Sequence, residues 1–305
     1  MSDIESPART TQLIARIADR LSAVRGVAAI VLGGSRARGN ARADADIDVG
    51  LYYHPDQPPD VDALRALADE LDDRHSPDAV TAPGEWGPWI NGGAWLQVDG
   101  QRVDWLYRDL DHVRRTIADC RRGLHTCDYQ PGHPHGFHNH MYMAEVFYAR
   151  ILRDPGGAVL AIKADTMVYP PLLKRVVIER HLWEAGFALM TARKPAARCD
   201  VAYVGGCLFR CIACLVQVLF ALNERYCMNE KGSVALVETL PQRPPHFAEI
   251  VNAVSAQPGD TPVALQATLD HLDRLAAACA DLCREPLRHL PPLPAEARSP
   301  RRRSW

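Results

Sequence analysis

Residues 32–39 read Leu32-Gly33-Gly34-Ser35-Arg36-Ala37-Arg38-Gly39, and a few positions later come Asp44-Ala45-Asp46-Ile47-Asp48-Val49. The run Val27 to Leu32 ahead of them is apolar and largely β-branched, which reads as a buried strand. Two glycines end it, so the backbone can turn sharply and come close to a ligand. Ser35 then offers a hydroxyl and a backbone N–H, and successive N–H groups in such a turn make a nest for phosphate. The stretch Asp46 to Tyr52 alternates, with Asp46, Asp48 and Gly50 on one face and Ile47, Val49 and Leu51 on the other. That is the pattern of a half-buried strand. Two residues of strand rise about 6.6 Å, so two carboxylates on one face can reach a shared cation. Oxygen-only ligands suit Mg²⁺. A merely solvated strand face would leave the glycine turn before it without a reason.

A third acid follows the same logic. Ala94 to Val98 and Gln101 to Tyr107 read as two strands joined at Asp99-Gly100, a strong hairpin signal. Asp104 alternates there with Val103 and Trp105, so it projects from the opposite face to them. Beside the Asp46 strand, Asp104 would complete a site for metal-assisted phosphoryl or nucleotidyl transfer, placed to take a proton from an attacking hydroxyl. Asp44 lies before the strand and reads as a supporting residue at most.

Working outward, Thr11 to Val24 and Val61 to Leu71 carry helical spacing, the second with Asp60 as N-cap. After about residue 110 helical patterns dominate, near 109–120, 141–152, 158–167, 172–192, 201–222 and 263–283, separated by proline and glycine breakers. The expectation is therefore α+β: a domain over residues 1–112 with a short mixed sheet, then a helical domain over 113–290. Residues 291–305, with Arg301-Arg302-Arg303, read as a disordered basic tail.

The 305 residues are 47% hydrophobic and 24% charged, an ordinary folded composition. The net charge of -2 argues against a dedicated duplex-DNA or RNA binder. No secretory leader and no run of about 18 uncharged apolar residues is visible, which excludes a membrane span on this reading. Nine scattered cysteines fit a reduced, cytoplasmic setting. The basic residues are almost all arginine; Lys163, Lys174, Lys194 and Lys231 are the lysines.

The Gly34-Ser35 turn, Asp46-Ile47-Asp48 and Asp104 together resemble the DNA polymerase β-type nucleotidyltransferase superfamily. The nearest likeness is to the small bacterial branch with aminoglycoside and lincosamide nucleotidyltransferases. The resemblance covers most of the chain and implies a nucleotidyltransferase domain followed by a helical one. It implies transfer of a nucleoside monophosphate from an NTP, ATP foremost, to an acceptor hydroxyl, with release of pyrophosphate. On it, Asp46, Asp48 and Asp104 hold one or two Mg²⁺ ions, and Asp104 acts as base. Ser35 contacts the β- and γ-phosphates. The segment Asn223 to Gly232 resembles the one that sends a lysine, here Lys231, to the triphosphate. Arg36 and Arg38 stand where the family often keeps basic residues near the phosphates. A small-molecule acceptor is favoured. The alternatives are a protein or tRNA acceptor docking on Arg301–Arg303, and a non-catalytic nucleotide-binding regulator.

Other patterns carry less. Cys207, Cys211 and Cys214 have the spacing of a radical iron–sulfur site, yet they fall on one face of an apolar helix with no breaker between them. His133, His135, His138 and His140 crowd one segment without a local cysteine or carboxylate, and read as a polar loop between domains. Trp86, Trp89 and this histidine segment are candidates to line an acceptor pocket. A nucleophile elbow fails at Ala37, and a Walker A loop fails because Asn40, not lysine, follows Gly39.

Overall fold

The computed structural model describes residues 7–298 apart from 40, 43 and 77. In chain order the elements are α1 (Pro7–Ser22), β1 (Ala29–Leu32), α2 (Gly34–Arg38), β2 (Ile47–Tyr53), α3 (Val61–Leu71), β3 (Gly93–Val98), β4 (Gln101–Asp109), α4 (Leu110–Arg121), β5 (Cys127–Gln130) and β6 (His133–His138). They continue with α5 (Met141–Tyr148), β7 (Arg150–Arg153), α6 (Ala158–Ala164), α7 (Pro171–Ala197), α8 (Val201–Leu222), α9 (Ser233–Val237), α10 (Phe247–Ala256) and α11 (Pro262–His289). The fold is α+β with a mixed sheet, as its sequence pattern implies. It divides into two compact units: residues 1–117 with 142–168, and residues 118–141 with 169–305.

The first unit is built on a five-stranded sheet in the order β3-β4-β2-β1-β7. β2 and β4 run parallel, and the other pairs are antiparallel. Ile17 and Leu21 of α1 and Leu64 of α3 join Ile47, Val49, Leu51, Val103, Trp105 and Tyr107 in one apolar core. Strand alternation puts those sheet residues on one face. Asp60 caps α3 as expected, its side chain accepting from the Ala63 N–H. Asp99 and Gly100 both take positive φ in the tight turn of the β3–β4 hairpin.

The opposite face of the sheet is covered at one end. Arg108, only 3% exposed, is the register partner of Tyr52 and is held by both carboxylate oxygens of Glu145 in α5 at 2.8 Å. Its Nη1 also donates to the Tyr107 carbonyl at 2.9 Å. Burial alone would disfavour the charged guanidinium, but Glu145 reverses that and drives its pKa up. Lys163 donates to the carbonyls of Val146, Phe147 and Ala149, closing the turn after α5.

Three sequence expectations are corrected here. Strands do not stop near residue 110: the pattern near 141–152 is helical only to Tyr148, and Arg150–Arg153 adds β7 to the sheet beside β1. Arg150-Ile151-Leu152-Arg153 does not alternate, so it carries no strand signal. The histidine segment is not a loop but β6, paired antiparallel with β5. Residues 291–298 are not a free tail: Leu293 and Ala297 are buried, and Ala295–Ala297 forms a 3₁₀ turn. Arg301–Arg303 lie outside the described residues.

The second unit centres on α7, α8 and α11, whose inward residues include Val177, Leu189, Cys211, Leu215, Leu219, Leu272 and Cys279. Cys211 and Cys214 sit inside that packing with thiols pushed above their ordinary range by burial, and all nine cysteines are free thiols. One helix among the described residues, α8, is long and apolar enough to cross a membrane, and 72% of its apolar window is buried inside the protein. Glu145→Ala strands the Arg108 charge, so it is expected to cost about 3–5 kcal/mol in urea unfolding. A loss below about 1 kcal/mol would show that the pair does not anchor α5.

Candidate active site

The glycine turn and the first acid are built against each other. Gly33 donates its N–H to the Asp48 carbonyl at 2.8 Å, carrying the β1–β2 ladder one step past Leu32 and Val49. Gly34 then turns at φ +61, and a Cβ there would lie 1.7 Å from Asp48 Oδ2. Only glycine leaves room for the carboxylate. Ser35 follows in the first turn of α2, which Gly39 ends in the left-handed conformation.

Asp48 and Asp104 are register partners across the parallel strands β2 and β4. Neighbouring strands lie about 4.8 Å apart, so their side chains leave the same face side by side. Both are half-buried. Asp46 stands one residue ahead of β2, not within it as the alternation implied. Its carboxylate is ion-paired with Arg102, whose Nη2 also reaches the Asp44 carbonyl at 3.2 Å. The bond to Asp46, with the charges of Asp46, Asp44 and Asp104, raises the Arg102 pKa. The pair is solvent-exposed and therefore weak. Sequence reading missed Arg102, although its i, i+2 relation to Asp104 puts it on the acids' face.

The other expected residues separate. Arg36 has a different job: its Nε and Nη2 donate to the carbonyls of Ala45 (3.2 and 2.6 Å), Nε to that of Asp46 (3.1 Å), and Nη2 to Gln101 Oε1 (3.1 Å). It ties α2 to the approach of β2. Arg38 is half-buried, and its Nε is buried without a hydrogen-bond partner among the described residues. Lys231 is in the second unit, exposed, with its backbone N–H on Asn229 Oδ1 at 2.8 Å. Lys174 is paired with Glu224 at 2.8 Å.

The aromatic candidates also divide. Trp95, which the sequence reading did not single out, is 59% exposed and is the register partner of Asp104 on β3, so it shares the face of the acids. Trp86 stacks on it at 4.3 Å with ring planes 15° apart. Trp89 packs instead against His112 and Tyr142, whose hydroxyl donates to the Trp89 carbonyl at 2.6 Å. His133 is bonded to Glu230 at 3.1 Å. His138 and His140 are buried among His125 and His181, so they line no open pocket. Burial pushes these four imidazoles below the ordinary range, to about 3 for His140 and about 4 for His181, and all are neutral at pH 7.

Residues 14–86 match the model of the nucleotidyltransferase domain family. The first unit therefore carries a nucleotidyltransferase domain over those residues, which supports nucleotidyl transfer as a general activity. Among solved structures, a nucleotidyltransferase-like protein from Exiguobacterium sibiricum 255-15 is similar over 92% of this chain and 78% of its own. The identity is 9% and the TM-score 0.42. No curated protein matches the chain.

Two substitutions test the turn. Gly34→Ala and Gly39→Ala both place a side chain at positive φ, each costing about 1–3 kcal/mol of strain. Only Gly34→Ala also drives a methyl into Asp48, since nothing among the described residues lies within 4 Å of a Cβ at Gly39. Thermal denaturation is expected to show the larger loss for Gly34→Ala. Equal losses would mean that the Asp48 carboxylate is not seated on the turn.

Proposed function

We propose that the chain moves a nucleoside monophosphate, AMP foremost, from an NTP to a hydroxyl of a small acceptor. The observation that carries this is the register pairing of Asp48 with Asp104 beside the Gly33-Gly34-Ser35 turn. The acids and the turn fit the two halves of a triphosphate site. Asp46, Asp48 and Asp104 are hard oxygen donors of the kind that would hold Mg²⁺, which neutralises phosphate charge when bound. Arg102 supports that fit, because an exposed cation on Asp46 shows where positive charge is wanted and is cheaply displaced.

The N–H groups at the start of α2 and the Ser35 hydroxyl would take phosphate oxygens. Arg38 is a further phosphate ligand on this reading, and Arg36 supports the loop instead. Asp104 would accept the acceptor's proton as its oxygen attacks the α-phosphorus. The bond from that phosphorus to the bridging oxygen breaks, and pyrophosphate leaves with the electron pair.

The Trp95–Trp86 stack supports an acceptor with a flat ring face. What lies on Trp95 is next to Asp104, the base.

Asp104→Asn keeps a similar shape and removes the base, so pyrophosphate release should fall on the order of 10²–10⁴-fold while Mg·ATP is still bound. Asp48→Asn should weaken both binding and release. Release at the wild-type rate in either variant would refute the assignment. Trp95→Ala should raise the acceptor KM on the order of tenfold or more and leave the NTP KM unchanged. An equal rise in both would remove Trp95 from the acceptor side.

A further inference from the structure

The second unit holds a group of histidines that nucleotidyl transfer does not use. One ring nitrogen from each of His125, His138 and His181 lies within 4.8 Å of the others. His125 Nε2 and His138 Nδ1 are 3.1 Å apart, near the separation of about 3.3 Å that two ligands have on a tetrahedral ion with bonds of about 2.0 Å. His140 is stacked obliquely on both, its ring 5.3 Å from each. All four are more than nine-tenths buried.

The outward nitrogens of His181 and His140 are held as those of metal-binding imidazoles are. His181 Nδ1 donates to the Val177 carbonyl at 2.7 Å, which leaves the lone pair on Nε2. His140 Nε2 is 3.1 Å from Gln217 Oε1, which leaves the lone pair on Nδ1. That His140 Nδ1 is buried with no hydrogen-bond partner among the described residues. His138 Nε2 faces Cys127 Sγ at 3.8 Å. Arg180 sits 3.3 Å from His125 Nδ1 but donates chiefly to the His125 carbonyl. Arg210 is neutralised by Glu184 at 2.6 Å. A hydrogen bond between His125 and His138 accounts for those two rings. It does not account for the orphaned lone pair of His140, a buried polar atom of the kind native proteins rarely leave unmet.

We propose that His125, His138 and His181 form a structural zinc site, with His140 packed against it. The position of the ligands gives it a purpose. His125 precedes β5, His138 ends β6, and His181 lies midway along α7. A two-stranded hairpin is marginal on its own. A closed zinc site would staple β5–β6 to α7, much as such ions stabilise other small elements.

The test uses the full chain, stripped with a chelator and then titrated with Zn²⁺ alone. One zinc per chain and a raised melting temperature are expected. Asp48→Asn/Asp104→Asn should keep that zinc, which separates this site from the carboxylates. His138→Ala and His181→Ala should bind on the order of 100-fold more weakly or not at all. X-ray absorption of wild-type zinc protein should show a shell of imidazole nitrogens, and it decides the matter even where a histidine variant does not fold. No stoichiometric zinc, unchanged binding in the histidine variants, or a shell of sulfur or oxygen alone would overturn the proposal.

Discussion

The parallel pairing of β2 with β4 is the constraint on which the catalytic half of this protein depends. Had the register slipped by one residue, Asp48 would have faced Val103 or Trp105, and one acid would have turned into the core. The register is fixed from the other side of the sheet. Ile47, Val49 and Leu51 of β2 and Val103, Trp105 and Tyr107 of β4 pack beneath α1 and α3, and a one-residue slip would turn one strand's three to the other face. The same alternation that builds the core therefore sets the two carboxylates side by side. Asp48 is fixed a second time by the turn, where Gly33 bonds its carbonyl and Gly34 makes space for its side chain.

The site's face of the sheet is used in two ways along its length. At the end of Tyr52 and Arg108 it is closed by α5 and the buried Arg108–Glu145 pair. At the end of Asp48 and Asp104 the residues stay half-buried, with Arg102 and Trp95 beside them. Charge at the accessible end can be met by water or a ligand, whereas charge at the covered end must be paired within the protein. Arg108 and Asp104, four residues apart on one strand, stand at those two ends.

Much of this was legible in the sequence because it rests on local rules. Alternation placed β2 and β4, Asp99-Gly100 fixed the hairpin between β3 and β4, and Gly33-Gly34 marked the turn. The long helices α7, α8 and α11 followed from period and breakers. What stayed hidden depends on partners far along the chain. Arg150–Arg153 is a strand only because β1 offers an edge to it. Arg36 looked like a phosphate ligand, but the carbonyls of Ala45 and Asp46 claim it once α2 has formed. His125 and His181 stand 56 positions apart in number and show no motif; the fold brings them to His138 and His140.

The central claim is that Asp48 and Asp104 act together on one metal-bound nucleotide. Calorimetric titration of Mg·ATP into wild type and Asp48→Asn/Asp104→Asn, each repeated with chelator in place of Mg²⁺, tests it most directly. The account predicts binding to wild type that vanishes without Mg²⁺ and in the double variant, with the melting temperature of the protein retained. Binding of equal strength in the double variant, or binding indifferent to Mg²⁺, would contradict it.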